Sequence, residues 1–148
     1  MKKYQVINYH YLLSQIDLQK VEKEARTMII NLDIVLGDIV DEHNAEIEKV
    51  KARLSKGHEA EIQEVSELIN QLQTAEDKEA IKAQIDEHED YAEIQAQLNE
   101  EVHKRLVEDV DVDIEKVKSA DLAEWCAASG ISINLDMLRE FRRAGFTL

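Results

Sequence analysis

The chain of 148 residues has the usual size of one domain, contains no proline and only four glycines, and carries a net charge of −14. This charge argues against binding to nucleic acid or to an anionic membrane, since both contacts need a basic surface. The single cysteine, Cys126, excludes an internal disulfide framework, and no apolar run approaches the ~18–20 residues that span a bilayer.

Charged and aromatic residues are distributed unevenly along this helix-favouring sequence. Residues 56–110 hold 5 basic and 16 acidic side chains, against 8 and 9 in residues 1–55 and 5 and 7 in residues 111–148. Among the aromatic residues only Tyr91 lies in the middle of the chain. Because large rings bury the most apolar area, residues 1–16 and 109–148 are predicted to form one small head. Residues 17–108 would form a long antiparallel, coiled-coil-like helical hairpin with its turn near residues 55–57, so that residues 1–148 make one mainly α domain.

The first predicted element is a short strand near the N-terminus. Tyr4 and Val6, separated by Gln5, have the two-residue period of a strand, and residues 110–114, Val-Asp-Val-Asp-Ile, alternate in the same way. The two segments are therefore predicted to pair as a small antiparallel ribbon in the head. Two strands alone are marginal, so two or three short helices are expected to cover one face of the ribbon.

Residues 17–54 are predicted to form one long helix, because apolar residues recur there at spacings of three and four. Such a helix would span ~57 Å, whereas a compact chain of this length has a diameter of ~38 Å. We therefore expect an elongated protein, or an apolar stripe covered by another chain through self-association or in a larger protein assembly. The stripe residues expected to contact this partner are Leu18, Val21, Met28, Leu32, Val35, Leu36, Ile39, Ile47 and Val50.

Two residues of this helix carry a further interpretation. Glycine costs ~1 kcal/mol relative to alanine inside a helix, so Gly37 predicts either the close approach of a crossing helix or a bend. His43 continues the apolar stripe, and a histidine at such a position can act as a ligand or as a pH switch. The pattern favours a partly buried histidine with a polar partner such as Asn44, Glu46 or the opposite arm.

The returning arm is predicted to begin near His58, with a break at residues 74–77, where Thr-Ala-Glu-Asp offers a helix cap. The carboxylates of this arm have two possible roles. They form an acidic face that imitates DNA phosphates and binds a basic site on another protein, or they only keep the surface solvated. The residues of this acidic face are Asp86, Glu87, Glu89, Asp90 and Glu93. His58 and His88 lie among acidic residues near turns and are expected at the surface.

Two short helices are predicted at the C-terminal end. Ser119 is expected to cap a helix that ends at Gly130, and a second helix begins at Ser132 or Asn134. Gly145, followed by a phenylalanine, resembles a Schellman stop. These helices supply the cover that the predicted ribbon needs.

No residue is predicted to be catalytic, and no cofactor or metal is expected. Cys126 has no histidine near it in sequence, and its neighbours Trp125 and Ala127 indicate packing. Glu100 and His103 form one Glu-x-x-His pair, whereas di-iron bundles need two such pairs with further carboxylates. Phosphate-binding loops, nucleophile elbows and His-Glu-x-x-His helices are absent from the sequence.

The order of the elements resembles that of small proteins encoded by tailed bacteriophages and prophages. The resemblance is carried by Lys-Lys-Tyr-Gln-Val-Ile-Asn at residues 2–8, the acidic hairpin, Val-Asp-Val-Asp-Ile-Glu at residues 110–115 and Leu-Asp-Met-Leu-Arg-Glu-Phe at residues 135–141. It implies a virion component, an assembly factor or an accessory protein in the host cytoplasm. The residues themselves predict a cytoplasmic, non-enzymatic structural or interaction protein, with an acidic inhibitor or DNA mimic as the alternative.

Overall fold

A computed structural model describes residues 1–114 and 116–147. The chain is mainly helical, as predicted, with seven α-helices and one short 3-10 turn in the residues described. The elements are α1 (Lys3–Ser14), the 3-10 turn (Leu18–Lys20), α2 (Lys23–Ser55), α3 (Glu59–Leu72), α4 (Lys78–Asp86), α5 (Glu89–Leu106), α6 (Ser119–Ala128) and α7 (Leu135–Ala144).

The chain divides into two compact units. The terminal unit consists of Met1–His43 and Arg105–Leu148, and the middle unit consists of Asn44–Lys104. Helix α2 begins in the terminal unit and ends in the middle unit, so the boundary falls within a continuous helix.

The predicted two-stranded ribbon is wrong, since no strand forms in the part of the chain that the structure describes. Tyr4 and Val6 lie in α1, where Val6, Tyr9 and Leu13 are buried at helical spacing. Three residues are too short to distinguish a period of two from one of 3.6, and the longer helical pattern prevails. Residues 110–114 keep the predicted alternation of burial but have irregular backbone.

The residues that precede the two predicted strand segments nevertheless meet at one pair. Lys2 and Asp109 form an isolated antiparallel bridge, in which the Lys3 amide donates to the Glu108 carbonyl at 2.9 Å. The Lys2 ammonium also donates to the Asp109 carboxylate at 2.7 Å, and this hydrogen bond lowers the pKa of Asp109. A second isolated bridge, Lys118 with Thr147, is parallel.

The long helix starts later than the sequence pattern indicated. Residue Asp17 accepts a hydrogen bond from the Gln19 amide at 3.0 Å and so caps the 3-10 turn, a local interaction that competes with helix. Val21 is then extended, with φ −116° and ψ 158°, and its side chain is buried. Helix α2 therefore begins at Lys23 and has 33 residues, which corresponds to ~50 Å of uninterrupted helix.

Helix α2 ends at the turn that the sequence indicated. Gly57 adopts the left-handed conformation with φ 85°, and the His58 amide donates to the Ser55 carbonyl at 2.9 Å. Gly37 leaves α2 unbroken, and a Cβ there would lie 3.2 Å from Nε2 of His10 in α1. The predicted close approach of another helix at Gly37 is thus confirmed.

Rings from both ends of the chain meet in the core of the terminal unit. Tyr9 packs edge-on against Phe146 and Phe141, with centroid distances of 5.0 and 5.8 Å. Trp125 and Cys126 of α6 are buried in the same cluster. This core also receives the buried face of α2, formed by Ile29, Leu32 and Leu36.

The C-terminal helices differ from expectation at both ends of α6, which ends at Ala128 rather than at Gly130. Ser119 does not cap that helix; its buried hydroxyl donates to the Thr147 carbonyl at 2.7 Å. In α7, the side chain of Asn134 accepts from the Met137 amide at 2.9 Å. Gly145 has φ 110°, and the residue after it closes the predicted stop by donating its amide to the Phe141 carbonyl at 3.1 Å.

The middle unit has three helices after the turn. The predicted break at residues 74–77 is present, and Asp77 caps α4 by accepting from the Ala80 amide at 3.1 Å. A second break at Glu87 and His88 separates α4 from α5. Helix α3 packs against α4, and the buried apolar side chains of this unit are Val50, Val65 and Ile94.

Candidate functional site

The structure divides the predicted stripe of α2 and the preceding turn between the core and the surface. Val21, Leu32, Leu36 and Val50 are buried, and Met28, Ile39 and Ile47 are half-buried. Leu18 and Val35 are exposed. A side chain that is buried within its own chain cannot contact a partner while the chain is folded. Contact with a partner therefore stays a prediction for the exposed side chains.

Two isoleucines outside the predicted stripe face solvent on α2 beside Val35. Ile30, Ile34 and Val35 are 46%, 55% and 44% exposed. Ile30 and Ile34 lie one turn apart on the same face, and Val35 borders it. We refer to these three residues as the α2 patch.

The sequence pattern did not point to Ile30 and Ile34, because both lie outside the predicted stripe. Within that stripe Leu18 belongs to the 3-10 turn, whereas Leu32 and Leu36 are buried in α2 together with Ile29. The sequence feature that could have indicated Ile30 and Ile34 is a pair of isoleucines spaced by four residues, which lies beside the main apolar stripe of the helix.

A groove of about 530 Å³ lies between α1 and α7 in the terminal unit. Its lining is mostly apolar, with Tyr9, Leu12, Met137 and Phe141 among the contributing residues. Tyr11 lines it too and is largely exposed, so the groove is open to solvent.

Cys126 is fully buried, and burial raises the pKa of its thiol to about 11. A thiol needs a lowered pKa to act as a nucleophile at neutral pH. The environment of Cys126 shifts it in the opposite direction, which fits the packing role predicted from its neighbours.

The predicted polar candidates lie at separate places. His43 is buried on the inner face of α2, whereas Glu100 and His103 are on the exposed surface of α5. The carboxylate of Glu100 pairs with Lys104 at 3.2 Å. The five residues of the acidic face are all exposed: Asp86, Glu87, Glu89, Asp90 and Glu93.

Potential metal ligands do converge at one place that the sequence did not indicate. Within residues 1–114 and 116–147, side chains able to hold a metal gather in a group of three at His58, Glu61 and Asp90. Glu61 and Asp90 lie in the first turns of α3 and α5, and His58 directly precedes α3.

No protein-family model matches the sequence, and neither a curated protein nor a solved structure shows significant similarity to it. In the part of the chain that is described, no helix is both long and apolar enough to cross a membrane.

Proposed function

We propose that this chain is a non-enzymatic structural or assembly protein, combining a small head with a coiled-coil-like helical hairpin, that associates with a second copy of itself. The observation that supports this most directly is the exposure of Ile30, Ile34 and Val35 on adjacent turns of α2. Single exposed apolar residues are ordinary on a monomer, but a contiguous group on one rigid helix is typical of a contact surface.

The size of the α2 patch limits the strength of this association. Complete burial of an isoleucine or valine side chain contributes ~1.5–3 kcal/mol, and these side chains are already about half covered. A two-fold contact uses each residue twice, so the six side chains contribute roughly 6 kcal/mol. Association costs ~4–15 kcal/mol in lost freedom, so the dimer is expected to be weak and concentration-dependent.

Light scattering coupled to size exclusion, over a range of protein concentrations, tests this proposal. The wild-type mass is expected to rise above the monomer value of 17.0 kDa as concentration increases. The double variant Ile30→Glu, Ile34→Glu should remain monomeric, because it places charges in the contact. Ile69→Glu is the matched control, since Ile69 is an exposed isoleucine in α3. A wild-type monomer at every concentration contradicts the proposal.

The layout of the elements supports a narrower version, in which the chain is a virion component or an assembly factor of a tailed bacteriophage. In that case the α2 patch would contact a larger protein particle as well as a second copy. Co-purification of the wild-type chain, but not of the double variant, with a protein of the same particle is the expected result.

A second candidate function is the capture of a basic protein surface by the acidic face. Its five carboxylates are exposed over a short stretch of a segment in which 16 acidic side chains oppose 5 basic ones. Capture of this kind should disappear as salt rises from about 50 to 500 mM, because exposed charges are screened. Apolar association through the α2 patch should persist over the same range, which separates the two candidates.

A further inference from the structure

His58, Glu61 and Asp90 bring one nitrogen and two carboxylates together in the middle unit. The Nδ1 atom of His58 lies 3.8 Å from Oε2 of Glu61 and 4.0 Å from Oδ2 of Asp90. All three ligand atoms lie within 4.8 Å of one another. His58 was expected to be an ordinary surface residue, but its position beside two carboxylates from different helices gives it a more specific environment.

A second imidazole holds the central carboxylate from the other side. Nδ1 of His88 lies 3.3 Å from Oε1 of Glu61, and its Nε2 lies 3.8 Å from Oε2 of Glu64. Glu61 thus has an imidazole at each carboxylate oxygen. The side chains of Glu61 and His88 are only 23% and 22% exposed, so this carboxylate is oriented within a partly covered site.

We propose that His58, Glu61 and Asp90 bind one divalent transition-metal ion of the zinc class, with His88 orienting Glu61. Tetrahedral zinc takes nitrogen and carboxylate ligands at ~2.0–2.2 Å, which separates the ligand atoms by ~3.3–3.5 Å. The distances from His58 are only slightly longer than this separation. Rotation of the exposed Asp90 side chain closes the remaining gap, and a water completes the fourth position.

The donor set selects among metals. Magnesium and calcium prefer oxygen ligands alone, whereas an imidazole nitrogen with carboxylates suits zinc and its neighbours in the transition series. A hydrogen bond from a second group to a ligating carboxylate is the usual support for such a site, and His88 is placed to provide it.

The local electrostatics at this site combine two opposing contributions. The N-termini of α3 and α5 carry partial positive charge, which opposes a metal. This effect is offset by Glu61, Glu64 and Asp90, which lie within 4.0 Å of the two imidazoles. A bound ion would link the first turn of α3 to the first turn of α5, two helices that α4 separates in the sequence. Such a link would stabilise the folded middle unit.

Calorimetric titration of the full-length, untagged chain with zinc chloride tests this proposal, together with visible absorption of the cobalt-loaded protein. One ion per chain, a raised melting temperature and the d–d bands of four-coordinate cobalt are expected. His58→Gln and Glu61→Gln should each weaken zinc binding at least tenfold. His103→Gln is the matched control, because His103 is an exposed histidine beside a glutamate in α5 of the same hairpin region, and it should bind as the wild type does.

Circular dichroism of each variant without metal separates a lost ligand from a lost fold. The proposal is overturned by the absence of saturable binding, by equal loss in His103→Gln, or by magnesium competing at equal concentration. It is independent of self-association, since the α2 patch lies in the terminal unit and the three ligands lie in the middle unit.

Discussion

At the scale of single residues, Tyr9 places a hydroxyl within an aromatic cluster. The hydroxyl donates to the Glu140 carbonyl at 3.2 Å. Burial, followed by the charges of Glu140 and Tyr4, raises the pKa of Tyr9 from 10.0 to about 12. In the unfolded chain this tyrosine ionises first, so the folded state loses stability between these two pKa values as the pH rises.

The expected alkaline loss from Tyr9 is about 2–3 kcal/mol, since each pKa unit corresponds to ~1.36 kcal/mol. The contribution is fully present below pH ~10 and is lost as the pH passes ~12. Urea unfolding at a series of pH values should show a shallower decline for Tyr9→Phe than for the wild type in this window. Near neutral pH the same variant should be less stable by ~1 kcal/mol, because it lacks the hydrogen bond to Glu140.

Tyr11→Phe provides the control for this measurement, since Tyr11 lies in the same helix and is largely exposed. It should reproduce the wild-type dependence on pH. Parallel profiles for the wild type and Tyr9→Phe would mean that the Tyr9 hydroxyl does not ionise differently in the folded and unfolded states.

At the scale of the elements, the end of α7 depends on one backbone conformation. Gly145 has φ 110°, which side chains with a Cβ rarely adopt, although a Cβ would meet Ile114 only at an ordinary 3.5 Å. Gly145→Ala should therefore lower the free energy of unfolding by ~1–2 kcal/mol through backbone strain. Chemical denaturation at neutral pH measures the change.

Gly37→Ala is the informative comparison for Gly145→Ala. Gly37 lies within α2, where alanine gains ~1 kcal/mol in helix propensity but its Cβ would lie 3.2 Å from His10. The two effects oppose each other, so the net change should be below ~1 kcal/mol. A Gly145→Ala variant as stable as the wild type would contradict the assignment of strain to the left-handed position.

The elements that the sequence predicted well are those determined by local chemistry. The turn at Gly57, the break at residues 74–77 and the stop at Gly145 all follow from neighbouring residues. The strand at Tyr4 was mistaken because alternation over three residues carries too little information, and helix packing against the core decides its structure.

The candidate metal site was beyond prediction for a different reason. Its pairing of His88 with Glu61 joins residues 27 positions apart. This contact requires the break between α4 and α5, which has no proline or glycine to mark it. The later start of α2, after the extended Val21, likewise could not be predicted from apolar spacing alone.

At the scale of the whole molecule, apolar burial is concentrated in the terminal unit. Its core includes the aromatic cluster, Trp125 and the buried face of α2. The middle unit buries Val50, Val65 and Ile94 and holds most of the excess negative charge. Regions with fewer buried apolar contacts open locally at lower free energy than the global unfolding transition.

Amide hydrogen exchange should therefore change along α2, although the helix is continuous. We expect amides before His43 to be protected at least about tenfold more than those after Asn44, which corresponds to ~1.4 kcal/mol in opening free energy. Exchange measured by mass spectrometry on overlapping peptides, corrected for intrinsic rates, detects such a step. Helices α1 and α6 provide the protected reference, and α3 and α4 should exchange with the second half of α2. Uniform protection along α2 would instead mean that the two units open as one cooperative body, because a helix whose halves share one opening event has no internal boundary in stability.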